Sequence, residues 1–276
     1  DPDVLVARIE RPDGTPLAAL LHYTCHPTAA GPGVRLVTSD WCGVARGVLE
    51  QAGSGPVLVV NGAAGDVNAK MEARGLAAAD HAGRRIGDVA LELWKATKAA
   101  DVGHIGAGSA SVPLTFGPLP GVSEMARLWE EWQHILRTEP RAGSRYRGAI
   151  VTHRDYVQRV ARLTFGSDPL PEIAVETQAL LLGPVVVASL PGEFFNAYGR
   201  QVKATAPDAP VMVAAWTNDN VGYFPTREQY AYGGYEVDVA YKYYGFPSVW
   251  MVESGEAVAG HAARLVRELL GMEDGG

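Results

Sequence analysis

The sequence predicts an α/β protein, because segments typical of strands and of helices are intermixed along its whole length. Apolar runs typical of buried strands lie at 4–10, 16–23, 56–62, 103–114, 173–182, 184–190 and 210–217. Segments with apolar residues at helical spacing lie at 40–53, 73–97, 123–138, 144–166 and 257–271. We therefore expect mixed β-sheets flanked by helices.

The order of these segments predicts a single domain over residues 1–276 with a helical insert at 115–170. The two long helix-like segments within the insert are expected to form a hairpin between two β-rich halves. The first residue is Asp, and the first 26 residues already have the pattern of a strand, a turn and a second strand. We therefore expect the chain to be a proteolytically processed product or a fragment of a longer one.

The composition is that of an ordinary globular protein and argues against several kinds of partner. The formal net charge of −7 disfavours nucleic acid or an anionic membrane surface as the main partner. No apolar run approaches the roughly 20 residues of a transmembrane helix. The two cysteines, Cys25 and Cys42, are too few for a disulfide framework, so they do not decide between a reducing and an oxidising compartment. We favour the cytoplasm. The sequence does not decide whether the protein forms a homo-oligomer.

The first segment that can carry chemistry is HYTCHPTAAGPGVRLVTSDWCGVA, at 22–45. His22 and His26 lie at the end of an apolar strand, and α/β folds expose functional groups at strand ends. A histidine with only a packing or hydrogen-bonding role is the simpler alternative. Asp40 also has two interpretations: it orients a ligand, or it is the first-turn acid of the helix that follows.

The second segment, VLVVNGAAGDVNAK at 57–70, is a strand followed by a glycine-rich turn that carries Asn61, Asp66 and Asn68. Such a turn lets backbone N–H groups approach a ligand. It lacks the GK[ST] sequence of a Walker loop and the GxGxxG pattern of dinucleotide sites, which disfavours phosphate binding. Asn and Asp are also ordinary turn-forming residues, and that alternative stays open.

The third segment, SLPGEFF, places Glu193 where a strand-like run ends and a helix-like run begins. A carboxylate in the first turn of a helix is favoured by the helix dipole. A metal ligand or a catalytic acid at the edge of a sheet is the alternative. The sequence of this segment alone does not decide between them.

The fourth segment, at 216–238, is rich in Tyr, Asn and Gly and includes Tyr223, Tyr230, Tyr232 and Tyr235. One interpretation is an aromatic, partly exposed loop that packs on the domain. The other is the wall of a substrate site, in which the phenols serve as ligands or donate hydrogen bonds to an oxyanion.

Together, these four segments resemble the catalytic domain of the neutral, non-lysosomal ceramidases, a family of zinc-dependent amidases. The resemblance extends over residues 4–244. It implies a ceramidase-like fold, a bound Zn²⁺ ion and hydrolysis of an amide bond by metal-activated water. It also implies a small-molecule or lipid-like substrate.

The resemblance assigns roles to individual residues. It implies zinc ligands at His26 rather than His22, at Glu193 in LPGEF and at Tyr223 in VGYFPTREQYAYGGYE. Tyr235 falls on a second active-site tyrosine, which would stabilise the oxyanion of the attacked carbonyl. Zinc accepts such nitrogen and oxygen ligands, and a catalytic zinc site keeps one position open.

Two acids and an amide complete the predicted catalytic set. Asp66 or Asp40 would orient a zinc ligand by hydrogen bonding behind it. Asn68 stands where the family's proposed catalytic serine falls, because GDVNAK replaces Gly-Asp-Val-Ser-Pro-Asn. A serine nucleophile is therefore not expected, and Asn68 is predicted to donate a hydrogen bond at most.

The family's other zinc-binding histidine belongs to an upstream segment that these 276 residues do not contain. We expect a companion N-terminal chain or segment to supply it, and His22 is the alternative within this chain. The preferred hypothesis is a zinc-dependent amidase. The alternatives are a hydrolase or lyase that acts on glycosides or esters, and a non-catalytic binding subunit.

Overall fold

The structure, a computed structural model, describes residues 1–70, 73–98, 100, 102–138, 144–166 and 168–272. Its strands are β1 Leu5–Glu10, β2 Pro16–Tyr23, β3 Val57–Asn61, β4 Ile105–Leu114, β5 Ile173–Leu182, β6 Val185–Leu190, β7 Glu193–Phe194, β8 Val211–Ala215 and β9 Tyr223–Phe224. Its helices are α1 Asp40–Gln51, α2 Leu76–Ala96, α3 Val122–Thr138, α4 Ser144–Phe165, α5 Asn196–Ala204, α6 Arg227–Tyr232, α7 Ala240–Tyr243 and α8 Val252–Leu269, with a π-helical turn at Tyr235–Val239. These mixed sheets flanked by helices confirm the predicted fold class.

The first sheet has the strand order β1-β2-β3, with β1 antiparallel to β2 and β2 parallel to β3. Helix α1 lies in the crossover between the two parallel strands and packs against α2. Trp41, Leu49 and Leu21 are fully buried at the centre of this layer. Strand β2 ends at Tyr23, so this layer positions the loop that carries His26.

The second sheet has the order β4-β5-β6-β8, in which β6 and β8 form the parallel pair. Helix α8 packs across β4, β5 and β6, and the side chains at its contact surface include Val258, Ala262 and Leu265. These small and branched apolar residues let the helix lie close to the sheet. Strand β6 ends at Leu190, so the edge of this sheet positions the segment that carries Glu193.

Helices α3 and α4 lie within the predicted insert at 115–170 and pack against each other through Met125, Leu128, Tyr156 and Val160. They connect β4 to β5, which are adjacent antiparallel strands. The two helices therefore interrupt the second sheet, and the expectation that they separate two β-rich halves was wrong. None of the described helices combines the length and the hydropathy that a membrane crossing needs.

His22 is a buried residue of β2, with 0% of its surface exposed. Among the described residues, neither of its ring nitrogens has a hydrogen-bond partner. Burial, followed by the positive charge of Lys203, lowers the pKa of His22 to about 3. His22 is therefore a neutral core residue at physiological pH, and it makes no hydrogen bond or ion pair with Glu193 in the described part of the chain.

His22→Leu is expected to flatten the dependence of the unfolding free energy on acid pH. Unfolded histidine binds a proton near pH 6.5, whereas folded His22 resists protonation down to about pH 3. The unfolded chain therefore holds more protons in this window, and stability decreases by up to about 1.4 kcal/mol for each pH unit below 6.5. Denaturant titrations across this range measure the slope in both proteins.

The exposed His81 of α2 provides the matched control for this experiment. His81→Leu should leave the slope unchanged, because the side chain of His81 is exposed to solvent in the folded chain as it is in the unfolded chain. A wild-type slope in His22→Leu would contradict the assignment of His22 as a buried neutral group.

Candidate functional site

Glu193 lies in β7, a two-residue strand that pairs in parallel with β9 so that Glu193 is opposite Tyr223. The Glu193 N–H donates to the Gly222 carbonyl oxygen at 2.8 Å. Gly192 permits this approach, because a Cβ at that position would lie 2.8 Å from the Gly222 oxygen. The pair holds a buried carboxylate, 7% exposed, next to a tyrosine from a distant part of the sequence.

The acid that accepts a hydrogen bond from the start of the helix after β7 is Asp66, and not Glu193. Helix α5 begins at Asn196, and the Asn196 N–H donates to Asp66 Oδ1 at 2.6 Å. An acceptor for this otherwise unpaired donor stabilises the start of the helix. The interpretation of Glu193 as a first-turn acid is therefore wrong, and the Asp66 carboxylate ties the glycine-rich turn to the segment that carries Glu193.

His26 lies opposite Glu193, with its Nε2 3.5 Å from Glu193 Oε2. Its ring contacts the Trp216 ring at a centroid distance of 5.5 Å. Its backbone is also fixed, because its N–H donates to the Val67 carbonyl oxygen at 2.9 Å and its own carbonyl accepts from Trp41 Nε1 at 3.3 Å. The structure thus brings together the two residues predicted as the histidine and glutamate ligands.

Tyrosine side chains surround the Glu193 carboxylate. The Tyr244 hydroxyl donates a hydrogen bond to Glu193 Oε1. Burial, followed by a hydrogen bond to Glu193 and its negative charge, raises the pKa of Tyr223. The Tyr235 ring lies 5.9 Å from the Tyr223 ring and is 50% exposed. Tyr223 and Tyr235 are therefore at the site that the sequence predicted for them, and Tyr244 is an additional residue there.

Asp40 is buried, and its carboxylate accepts three backbone N–H groups. Oδ1 accepts from Ala29 at 3.1 Å and from Trp41 at 2.8 Å, and Oδ2 accepts from Ala30 at 2.7 Å. Asp40 has a positive φ of 52°. Its carboxylate thus fixes the loop that follows His26 to the start of α1, and it affects His26 through the backbone.

Asn68 is next to His26 across an isolated parallel β-bridge. Its Oδ1 accepts a hydrogen bond from Thr28 Oγ1 at 2.9 Å, and its side chain is exposed. The amide nitrogen has no hydrogen-bond partner among the described residues. The position predicted to replace a serine is therefore adjacent to the histidine, with a free donor.

Cys25 and Cys42 do not have the character of nucleophiles. Burial, with a smaller effect of the Asp40 charge, raises the pKa of Cys25 to about 11 and that of Cys42 to about 12. Both thiols stay protonated at neutral pH, whereas a cysteine nucleophile reacts as the thiolate.

The side chains at the site supply some, but not all, of the usual ligands of one zinc ion. Two ligands about 2.0–2.1 Å from a tetrahedral zinc ion lie roughly 3.3–3.4 Å apart, close to the separation of 3.5 Å between His26 Nε2 and Glu193 Oε2. The part of the chain that the structure describes contains no group of three or more His, Cys, Asp or Glu side chains that could hold a metal ion. Within this chain, a third ligand would be a tyrosine such as Tyr223.

The whole chain can be compared with solved structures. Over 98% of its length it superposes on the crystal structure of neutral ceramidase from Pseudomonas aeruginosa, with a TM-score of 0.59 and 15% sequence identity. A ceramidase complexed with C2 matches 100% of the chain, with a TM-score of 0.64 and 15% identity. The chain has a ceramidase-like fold.

The ceramidase-like fold confirms the resemblance of the four sequence segments at the level of architecture. The chain spans about half of the length of the two solved structures, 47% and 50%. No protein-family model matches the sequence, and the comparison with curated proteins gives no match.

Proposed function

We propose that the protein is a zinc-dependent hydrolase that cleaves an amide bond and holds the metal through His26, Glu193 and Tyr223. The observation that carries this proposal is the 3.5 Å separation of His26 Nε2 and Glu193 Oε2. An imidazole and a carboxylate at this distance are placed to share one cation. The ceramidase-like fold supports an amide as the scissile bond.

Zinc supplies a Lewis acid that polarises a carbonyl group and activates water near neutral pH. The residues of the chain bind and orient the substrate. Burial, followed by the charges of Tyr243 and Glu193, raises the pKa of Tyr235. The hydroxyl of this half-exposed residue therefore stays protonated at neutral pH and can donate a hydrogen bond to a carbonyl oxygen that gains negative charge.

In this proposal, the remaining predicted catalytic residues hold the loops of the site, or the substrate, in position. Asp40 holds the loop after His26, and Asp66 holds the turn that leads to Asn68 against the start of α5. Asn68 offers its amide N–H to a substrate beside His26. Hydrogen bonds of this kind around a metal site typically change activity or metal affinity by about 10–100-fold when they are removed.

We propose that a histidine outside these residues, on an upstream segment or a companion chain, completes the ligand set. Of the three ligands proposed within this chain, only His26 and Glu193 are of the kinds usual for catalytic zinc, and a second imidazole would join them and Tyr223. The proposed substrate is a small-molecule or lipid-like amide.

The test of the proposed function is the hydrolysis of a panel of N-acyl amides by the full-length gene product. We expect hydrolysis that a chelator abolishes and added Zn²⁺ restores. Esters and glycosides with the same acyl or leaving groups serve as the comparison. Cleavage of these compounds without cleavage of any amide would overturn the amide assignment, and activity that persists after complete metal removal would overturn the metal assignment.

A further inference from the structure

The two carboxylate oxygens of Glu193 have different neighbours. Oε1 accepts the hydrogen bond from the Tyr244 hydroxyl, whereas Oε2 lies 3.5 Å from His26 Nε2. A cation shared by His26 Nε2 and Glu193 Oε2 would therefore be bound by the oxygen that Tyr244 does not contact. Tyr244 is thus placed to hold the carboxylate, and not to compete with His26 for the same oxygen.

The Tyr244 ring packs on the backbone segment that also holds Glu193. A Cβ at Gly222 would lie 3.1 Å from Tyr244 Cδ2, so the ring is in direct contact with the Gly222 backbone. The Gly222 carbonyl oxygen accepts the Glu193 N–H at 2.8 Å. The Phe246 ring lies nearly parallel to the Tyr244 ring, at a centroid distance of 6.4 Å and an interplanar angle of 11°. The hydroxyl and the carboxylate therefore have a common backbone support.

The Tyr244 hydroxyl is suited to orient a carboxylate. A tyrosine has an ordinary pKa of about 10, so at neutral pH the phenol carries the proton that it donates. Glu193 is only 7% exposed, so little water can replace this hydrogen bond if the hydroxyl is removed. Carboxylates that bind metals are commonly held by hydrogen bonds of this kind, which fix the direction of the ligand before the metal binds.

We propose that Tyr244 is a positioning residue of the metal site, whose hydroxyl holds the Glu193 carboxylate so that Oε2 points toward the metal and His26. The inference rests on the proposed function for the presence of a bound metal ion. Loss of such a hydrogen bond typically weakens metal binding by about 10–100-fold, and loss of a ligand should weaken it more. These magnitudes separate a positioning residue from a ligand.

The test measures the zinc affinity of the full-length gene product by competition with a chelator of known affinity, for wild type and Tyr244→Phe. Phenylalanine keeps the ring against Gly222 and removes only the hydroxyl. We expect the zinc dissociation constant to rise by about 10–100-fold. We also expect a changed visible absorption spectrum of the Co²⁺-loaded protein, because this spectrum reports the arrangement of the ligands around the metal.

Tyr156→Phe is the matched control for the loss of a buried hydroxyl. The Tyr156 hydroxyl, on α4, donates to the Pro247 carbonyl oxygen at 3.2 Å. Its removal should leave the zinc dissociation constant and the Co²⁺ spectrum unchanged, even where it lowers the denaturation midpoint. A denaturation curve for each protein shows that the variants compared are folded.

An unchanged zinc dissociation constant or an unchanged Co²⁺ spectrum in Tyr244→Phe would overturn the positioning role and leave the proposed function in place. A loss of affinity as large as that of Glu193→Gln, measured in parallel, would identify Tyr244 as a ligand and would also overturn the positioning role. A wild type that binds neither Zn²⁺ nor Co²⁺ would overturn the proposed function itself, and the role of Tyr244 with it.

Discussion

Glu193→Gln is expected to reduce kcat/KM for amide hydrolysis by more than about 100-fold while the fold is retained. Removal of a group that only orients a zinc ligand costs about 10–100-fold, and removal of a ligand should cost more. Glutamine has nearly the same shape, and its amide oxygen can still accept the Tyr244 hydroxyl that now bonds to Glu193. The loss of activity would therefore report the loss of the negative charge at the metal.

The measurement is steady-state kinetics together with a denaturation curve for each protein. Glu172 is exposed and supplies the matched control, since Glu172→Gln should leave both activity and stability unchanged. A Glu193→Gln variant with near wild-type kcat/KM would exclude Glu193 as a ligand and would leave it a structural partner of Tyr244.

Asp40→Ala is expected to lower the free energy of unfolding by about 3–5 kcal/mol, the largest stability effect that we predict for a residue near the site. The substitution leaves the N–H groups of Ala29, Ala30 and Trp41 without their acceptor. Unsatisfied buried donors cost roughly 1–3 kcal/mol each. The positive φ of 52° adds strain for alanine, because that conformation favours Gly, Asn and Asp.

Asp40→Asn keeps this variant series informative even if the alanine protein fails to fold. Asparagine tolerates the same backbone conformation and keeps one acceptor oxygen, so its stability should lie between the other two. Asp80, an exposed acid of α2, is the control, since Asp80→Ala should change stability by less than about 0.5 kcal/mol. Equal denaturation midpoints for Asp40→Ala and wild type would show that the loop after His26 does not depend on this carboxylate.

The long elements were predictable from the sequence because their patterns are local. Strands β2 and β5 begin and end at the predicted residues, 16–23 and 173–182. Helix α3 begins one residue before its predicted start, and α8 begins at Val252 instead of 257. Hydrophobic periodicity suffices for elements of this length. The order of the strands in the two sheets depends on contacts between distant segments and was not predictable in this way.

The short elements that build the site were missed for the same reason. Strands β7 and β9 have two residues each, too few for an alternating pattern. Their pairing depends on the close approach of Gly192 to Gly222. The segment 216–238, one interpretation of which was a loop, contains β9, α6 and most of the π-helical turn. Helices of four to six residues are too short to show a helical periodicity of apolar residues.

The sequence identified His26, Glu193 and Tyr223 through motif resemblance, and the structure places the three side chains together. Tyr244 and Trp216 carried no comparable signal. Tyr244 is one of 11 tyrosines, and its contact with Glu193 depends on the turn at the end of α7. Trp216 reaches His26 from a positive φ of 53°, which nothing in the sequence around it indicates.

The most direct test of His26 and Glu193 as metal ligands is the zinc content of the full-length gene product after dialysis, measured for wild type, His26→Ala and Glu193→Gln in parallel. We expect one zinc ion per chain in the wild type and a large loss of bound zinc in both variants, with folding retained. A wild type that holds no zinc, or variants that hold as much as the wild type, would contradict the assignment of His26 and Glu193 as metal ligands.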